Sequence, residues 1–330
     1  MNSSAKTPPK LLCSVVVATY RGADKLEKLL ASLSRQTLTS NTFEVIFVDD
    51  RSPAKDAEET RLLCEKYSGR LQIRLVALLK NGGPARARNK GVEAAQGEYI
   101  FFTDDDCEVP ALWLETHLNI YKQRPELSAI GGWYFFSRKE LETNIYAQFW
   151  YIHYKSIFYP LDLETFTGVS DEAPILPAQN TANLSVRRGV FNALGGFDED
   201  FIAPGREDTY FAENLFKAGF LSLFIPLHVR HTSPLTLKRF WRVIINRGSA
   251  NYVYLCKKNW RNYYPLQNKY FHKTFRHHLA RLCTRNISVR KNKTKLLLLS
   301  KIYYFGTYSN TALFFHAWRW KRIIRKRYEI

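Results

Sequence analysis

Four strand-length apolar runs recur through the first hundred residues, and a helical pattern separates each from the next. They are Leu12–Tyr20 (LCSVVVATY), Phe43–Val48 (FEVIFV), about Ile73–Leu79, and Tyr99–Phe102 (YIFF). Runs this continuous suit strands covered on both faces, as in a parallel sheet. After the first run, Leu26, Leu29, Leu30 and Leu33 recur at helical spacing and give one apolar stripe to lie on that sheet. A charged helix through about Tyr67 follows the second run. After the third, Asn81-Gly82-Gly83-Pro84 opens a helix, with Pro84 suited to a first helical position. The β-α-β-α-β-α-β order predicts an α/β fold, a mostly parallel sheet flanked by helices, whose ligands bind at the carboxyl ends of the strands.

Polar clusters stand at those ends: Thr19-Tyr20-Arg21, Asp49-Asp50, Asn81, and Asp104-Asp105-Asp106. One site assembled from four strand ends is the economical reading. Three adjacent carboxylates raise one another's pKa unless a cation or donor groups compensate them, and a hard divalent ion with phosphate co-ligands does this well. The triplet alone fits an acidic polar turn equally well. No G-x-G-x-x-G follows the first run and no G-x-x-x-x-G-K-[ST] occurs anywhere, so neither a dinucleotide fingerprint nor a P-loop is present.

Cysteine and charge narrow the setting. The five cysteines are widely spaced with no C-x-x-C pair, against a disulfide framework or zinc knuckle and for a reducing, cytoplasmic compartment. Residues 1–10 read as a flexible start without an apolar signal region. The net charge of +19 is lopsided. From Thr236 to Ile330 there are 23 Lys/Arg and one acid, Glu329, whereas the first 235 residues hold 26 Lys/Arg against 29 acids. Such asymmetry points to a polyanionic surface as partner.

Here the residues resemble a known family. Ser14–Arg21 (SVVVATYR), Val45–Ser52 (VIFVDDRS), Gly83–Gly91 (GPARARNKG) and Thr103–Cys107 (TDDDC) look like the ordered motifs of family 2 glycosyltransferases with the GT-A fold, the last in the place of their DxD motif. The resemblance covers about residues 11–235. It implies a catalytic domain there, with a nucleotide-binding half at 11–107 and an acceptor half at 108–235, followed by a basic helical extension at 236–330. It further implies a Mg²⁺ or Mn²⁺ ion and a nucleotide-sugar donor, a UDP-sugar first and a GDP-sugar second.

Roles follow by position. Asp106 is the expected metal ligand, Asp104 lies nearer the ribose, and Asp105 falls between them. Thr19, Tyr20, Arg21, Asp49, Asp50 and Asn81 would line the nucleotide, and Arg86 or Arg88 would face phosphate. Gly205–Tyr210 (GREDTY) looks like the acceptor-side acidic motif, making Asp208 the candidate base and Glu207 its neighbour. Two acids at a helix start also suit the macrodipole, which is the bland alternative. Some family members complete the metal site with a histidine near His228-Val229-Arg230-His231, and His231 is preferred. Asn183 and Trp133, the latter opening an aromatic stretch to Phe166, are acceptor-side candidates, although aromatics are mostly core.

Leu296–Leu299, Ile302–Phe305 and Leu313–Trp318 are nearly long enough together to span a bilayer, but Lys301, Asn310, Thr311 and His316 interrupt them. Interfacial helices on an anionic membrane are the better reading, finished by the basic run to Arg327. The resemblance and the tail together imply a transferase peripheral on the cytoplasmic face of a membrane, acting on a saccharide or lipid-linked acceptor. Nucleic acid is the weaker partner, since no zinc, homeodomain or RNP pattern is present. Two other readings are a sugar nucleotidylyltransferase, which should carry a Gly-rich, Arg-containing loop where Ala18–Arg21 stands, and a non-catalytic nucleotide-fold binding protein.

Overall fold

A computed structural model of the chain describes residues 11–157, 180–232, 236–257, 276, 279–280 and 287–307. The expectations for residues 1–10, for the aromatics Phe158 and Tyr159, and for Leu313–Trp318 with the basic run to Arg327 lie outside those residues. The chain forms two compact units. The first comprises Met1–Tyr134, Thr167–Glu199 and Phe211–Ser233, and the second Phe135–Phe166, Asp200–Tyr210 and Pro234–Ile330.

The strands are β1 (Cys13–Thr19), β2 (Phe43–Asp49), β3 (Ile73–Ala77), β4 (Tyr99–Phe102), β5 (Cys107–Glu108), β6 (Leu127–Phe135), β7 (Leu184–Arg187) and β8 (Leu221–His231). They form one sheet in the order β3-β2-β1-β4-β7-β6-β8-β5. The first four are parallel, with Val15 opposite Val45 and Phe101, as the apolar runs predict. Beyond β4 the pairing turns antiparallel, β4 with β7, β7 with β6 and β5 with β8. The helices are α1 (Ala23–Leu33), α2 (Ala54–Tyr67), α3 (Gly83–Ala94), α4 (Trp113–Gln123), α5 (Arg138–Thr143), α6 (Ile145–Ile157), α7 (Arg188–Ala193), α8 (Glu207–Lys217) and α9 (Leu237–Lys257).

Side chains from β1, β2 and β4 (Val16, Ile46, Val48, Ile100 and Phe102) pack on Ala85, Ala87 and Val92 of α3 and on Phe191, Phe197 and Phe211. Full burial of one such side chain stabilises by about 1.5–3 kcal/mol. The small residues on α3 let it lie close to the sheet. A Cβ on Gly91 would fall 2.3 Å from Val16 Cγ1, so no larger residue fits there without moving the helix. At the opposite end of the strands from the acids, Glu44 is buried, and its Oε1 accepts from Ser14 Oγ at 2.7 Å and from the Gln96 amide at 2.7 Å. Arg74 lies 3.4 Å from its second oxygen. That network ties β1, β2 and the approach to β4.

On the other face of the sheet, α4 places His117 and Tyr121 against Ser185 of β7, with His117 Nδ1 2.7 Å and Tyr121 Oη 3.1 Å from its hydroxyl. Complete burial beside Phe101 and Trp113 pushes the His117 pKa down to about 3. The folded chain therefore refuses a proton that the unfolded chain accepts below pH about 6.5, and stability is lost as pH falls. Urea unfolding should show a loss of about 2 kcal/mol from this group between pH 7.5 and pH 5. His117→Gln should remove that component; an unchanged pH slope in the variant rejects the assignment.

In the second unit, Phe149 of α6 stacks edge-on to Phe240 of α9 at 5.3 Å and meets Tyr303 at 5.5 Å. Gln148 donates to Ser288 Oγ at 2.9 Å and accepts from Asn292 at 3.0 Å, so α6 packs with the helical residues 287–307. Here the aromatic stretch takes the core role that is the default for such residues.

Candidate functional site

β4 ends at Phe102, and Thr103 is locked there by donating its hydroxyl to the Ala182 carbonyl at 3.0 Å. The three acids then diverge. Asp104 is one-third exposed at its side chain and pairs with Arg88 of α3, Nη2 to Oδ1 at 2.9 Å. Arg88 is buried, with its guanidinium 6.0 Å from the Phe197 ring centre. A buried arginine held by a partly exposed acid is not a solvated face, so α3 does bring a fixed positive charge to the strand ends.

Asp105 turns back toward the first strand. Its Oδ2 accepts from Thr19 Oγ1 at 2.7 Å, and Gly22 lies directly against it. The residue is partly exposed but its carboxyl is enclosed, and burial, followed by the Asp106 charge, raises its pKa to about 7. The turn it closes contains Arg21 at φ 54°, a left-handed conformation, with the Arg21 amide donating to Ser52 Oγ at 3.0 Å. Tyr20 is exposed, and the Arg21 guanidinium carbon stands 5.3 Å from its ring centre.

Asp106 is buried at the start of the next short strand pair. Its carbonyl accepts from Thr232 N at 2.7 Å and Thr232 Oγ1 at 2.9 Å, and its Oδ1 lies 3.2 Å from His231 Nε2. The antiparallel register of β5 and β8, with Cys107 opposite His231, produces that approach. A carboxylate and an imidazole converging at this distance fit a divalent cation, and Asp104, Asp106 and Cys107 offer ligand atoms within 4.8 Å of one another. The Cys107 thiol is pushed well above its usual pKa by burial and then by Asp104 and Asp106, which leaves it a poor anion beside the two carboxylates.

The second-strand acids are spent more locally than the sequence suggests. Asp49 Oδ1 accepts from the Ser52 amide at 3.1 Å. Asp50 is buried, and its two oxygens accept from the amides of Gly82 and Gly83, each at 2.8 Å, so it caps α3. Burial raises its pKa, against the opposing pull of those two amides and of Arg86. Asn81 donates to the Asp50 carbonyl at 2.8 Å, and Arg86 folds back over Gly82.

Asn183 is fully buried. Its Oδ1 accepts from Trp113 Nε1 at 2.9 Å, and its Nδ2 donates to the carbonyls of Trp133 at 2.9 Å and Leu227 at 2.8 Å. Its amide braces the sheet from within and presents nothing to an acceptor. Trp133 is also buried, edge-on to Phe224 at 6.1 Å. Sequence reasoning did not single out Thr103, Ser52, Gly22 or Thr232, whose bonds or close approach fix the candidate ligands. A short polar residue or glycine beside each strand end was the available signal.

In the second unit, Gly205 at φ 116° and Arg206 at φ 75° form a tight turn before α8. Glu207 is buried and accepts from the Gly205 amide at 2.7 Å, while Asp208 is partly exposed and accepts from the Thr209 amide at 2.7 Å. Arg206 Nε donates to Asn251 Oδ1 of α9 at 2.7 Å, and its guanidinium lies 5.6 Å from the Tyr254 ring centre. Glu207 therefore shapes the turn, and Asp208 is the carboxylate open to solvent.

The chain is similar over 94 residues, at 37% identity, to the poly(ribitol-phosphate) β-N-acetylglucosaminyltransferase TarS of Staphylococcus aureus. That stretch is 28% of this chain and spans only about a sixth (16%) of that relative's length. In shape, the mannosyltransferase of Pyrobaculum calidifontis solved with GDP-Man and Mn²⁺ matches with a TM-score of 0.57 at 19% identity, covering 98% of this chain and 88% of that one. Residues 1–349 of S. aureus TarS, solved with UDP, match with a TM-score of 0.51 at 16% identity, covering 94% and 92%. These likenesses establish the GT-A fold. The model for glycosyl transferase family 2 matches residues 14–192, more than half of the 330-residue chain, and takes in all four strand ends. Motif order, fold and that match agree, and the chain belongs to glycosyl transferase family 2.

Proposed function

We propose that the protein is a metal-dependent, inverting glycosyltransferase that moves a sugar from a nucleotide diphosphate, UDP before GDP, to a hydroxyl of a saccharide or lipid-linked acceptor. The observation that carries this reading is the buried Asp106 carboxylate 3.2 Å from His231 Nε2, beside the Arg88–Asp104 pair. Relatives named as sugar transferases, and fold neighbours solved with UDP or with GDP-Man and Mn²⁺, support it.

Asp106 and His231 would hold Mg²⁺ or Mn²⁺, with Asp104 at its edge. Such an ion acts as a Lewis acid that offsets the negative charge gathering on the leaving diphosphate. Asp104, steadied by Arg88, accepts from the ribose. Tyr20 and Arg21, on the strained turn, line the nucleotide. Asp208 takes the proton from the acceptor hydroxyl as its oxygen bonds to the anomeric carbon; the bond to the diphosphate breaks and its electron pair leaves with the nucleotide.

Calorimetry with UDP and with GDP, each with and without Mn²⁺, tests the reading, followed by a nucleotide-sugar panel assayed for donor hydrolysis. Binding that requires the ion is expected. Absence of ion-dependent binding to any nucleoside diphosphate would return the fold to a non-catalytic role. The Thr19–Asp105 closure has its own test. A Cβ at position 22 would lie 1.9 Å from Asp105 Oδ2 and 2.5 Å from Thr19 Oγ1. Gly22→Ala should therefore force the turn open and weaken UDP binding about tenfold; wild-type affinity in that variant would deny the turn any part in the nucleotide site.

A further inference from the structure

The second unit carries an apolar surface that its own core does not use. Helix α9 buries Phe240, Ile244, Gly248 and Tyr254 along one face. Beside that face, Leu237, Trp241 and Ile245 recur at every fourth position and are 53%, 45% and 51% exposed. The helical residues 293–307 repeat the pattern, burying Leu296, Ser300, Tyr303 and Thr307 while Leu298 and Phe305 stand 57% and 75% exposed. Those two helices run against each other, since a Cβ on Gly306 would lie 2.9 Å from Ile244 Cγ2 and 3.9 Å from the Trp241 ring. The two exposed strips are thus neighbours within one unit.

The two helices themselves carry charge of a single sign. Lys238 and Arg242 follow the strip on α9, Lys301 lies between Leu298 and Phe305, and all three are exposed. No Asp or Glu occurs anywhere between Thr236 and Tyr328. Contiguous exposed apolar side chains mark an interaction site on a soluble chain. An amphipathic surface with exposed Trp, Phe and Leu, on helices whose charged residues are all lysine and arginine, matches the boundary between anionic headgroups and acyl chains. A soluble polyanion would use the cations but would leave the five apolar side chains in water. Among the described residues no helix is long and apolar enough to cross a membrane.

We propose that Leu237, Trp241 and Ile245 of α9, with Leu298 and Phe305 of residues 293–307, form a lipid-docking face that seats the chain on the surface of an anionic bilayer. The apolar strip enters the headgroup boundary, and Lys238, Arg242 and Lys301 meet the lipid phosphates. The proposal does not rest on donor binding, and the two are read by separate assays.

The full chain is floated with phosphatidylcholine vesicles and with vesicles containing about one third phosphatidylglycerol. Wild type should float with the anionic vesicles and stay behind with the neutral ones. The triple variant Ile245→Ser, Leu298→Ser, Phe305→Ser should partition at least about tenfold less while melting as wild type and keeping UDP affinity. Leu62→Ser, an equally exposed site on α2, should change nothing. Should the triple variant melt early, Lys238→Glu with Arg242→Glu reads the same face and should abolish the preference for anionic vesicles. Failure of wild type to float overturns the proposal, as does undiminished flotation of a folded triple variant. So does flotation that soluble polyphosphate displaces while the apolar substitutions have no effect, which would assign the cations to a phosphate-bearing polymer instead.

Discussion

Asp106→Asn is expected to abolish ion-dependent binding of nucleoside diphosphate and to lower transfer by about a thousandfold or more, the scale of losing a preorganised charge that answers a leaving group. Shape is nearly preserved by this substitution, and the backbone at 106 stays held by Thr232 through two hydrogen bonds to its carbonyl. What changes is charge alone, at a buried point 3.2 Å from an imidazole. The melting temperature should therefore stay near that of wild type, or rise slightly as like-charge contact with Asp105 is relieved. His231→Ala leaves the carboxylates in place and should cost less than Asp106→Asn in the same calorimetric titration with UDP and Mn²⁺. Full ion-dependent binding by Asp106→Asn would remove Asp106 from the metal site.

Asp208→Asn should separate binding from chemistry. Donor affinity is expected to stay at the wild-type value, while kcat falls by about 10²–10⁴, the range for loss of a general base. Glu207→Gln makes the informative contrast. Glu207 is buried and holds the Gly205 amide at the left-handed turn, so its loss should act on the turn's geometry and on stability. Its kcat and thermal stability should decline together, whereas Asp208→Asn should leave the melt untouched. Single-turnover assays with saturating donor read the first effect and a thermal melt the second. Wild-type kcat in Asp208→Asn would strip Asp208 of the role.

The parallel half of the sheet was legible because its evidence is local. Each strand is a continuous apolar run, each connection has helical spacing, and Pro84 falls in the first turn of α3 as its fixed φ requires. The ends of those strands were legible as places and not as assignments. Asp50 looked like a nucleotide contact, but whether a carboxylate faces a ligand or caps the neighbouring helix depends on how β2 and α3 dock, which the sequence does not encode locally. Asn183 shows the same limit more strongly. Its three partners lie 70, 50 and 44 positions away, and only the folded sheet brings them to one amide. The approach of His231 to Asp106 likewise depends on the β5–β8 register, and resemblance, not spacing, pointed to it. Assignment of Phe135–Phe166 to the same unit as the C-terminal helices was invisible for a similar reason, since the Gln148–Ser288 bond joins residues 140 apart.

The Asp50 cap has a consequence for how phosphate is held. In many α/β proteins the free amides at a helix N-terminus receive a phosphate and the helix dipole stabilises it. Here the amides of Gly82, just before α3, and of Gly83, its first residue, are already taken by the protein's own carboxylate. On the proposed function, a diphosphate at these strand ends would find those two amides occupied, and more of its charge would fall to Arg88 and to a divalent ion. On the proposed function, the protein has exchanged a permanent anion clamp for a replaceable one, and its output becomes a readout of the free divalent-ion concentration around it.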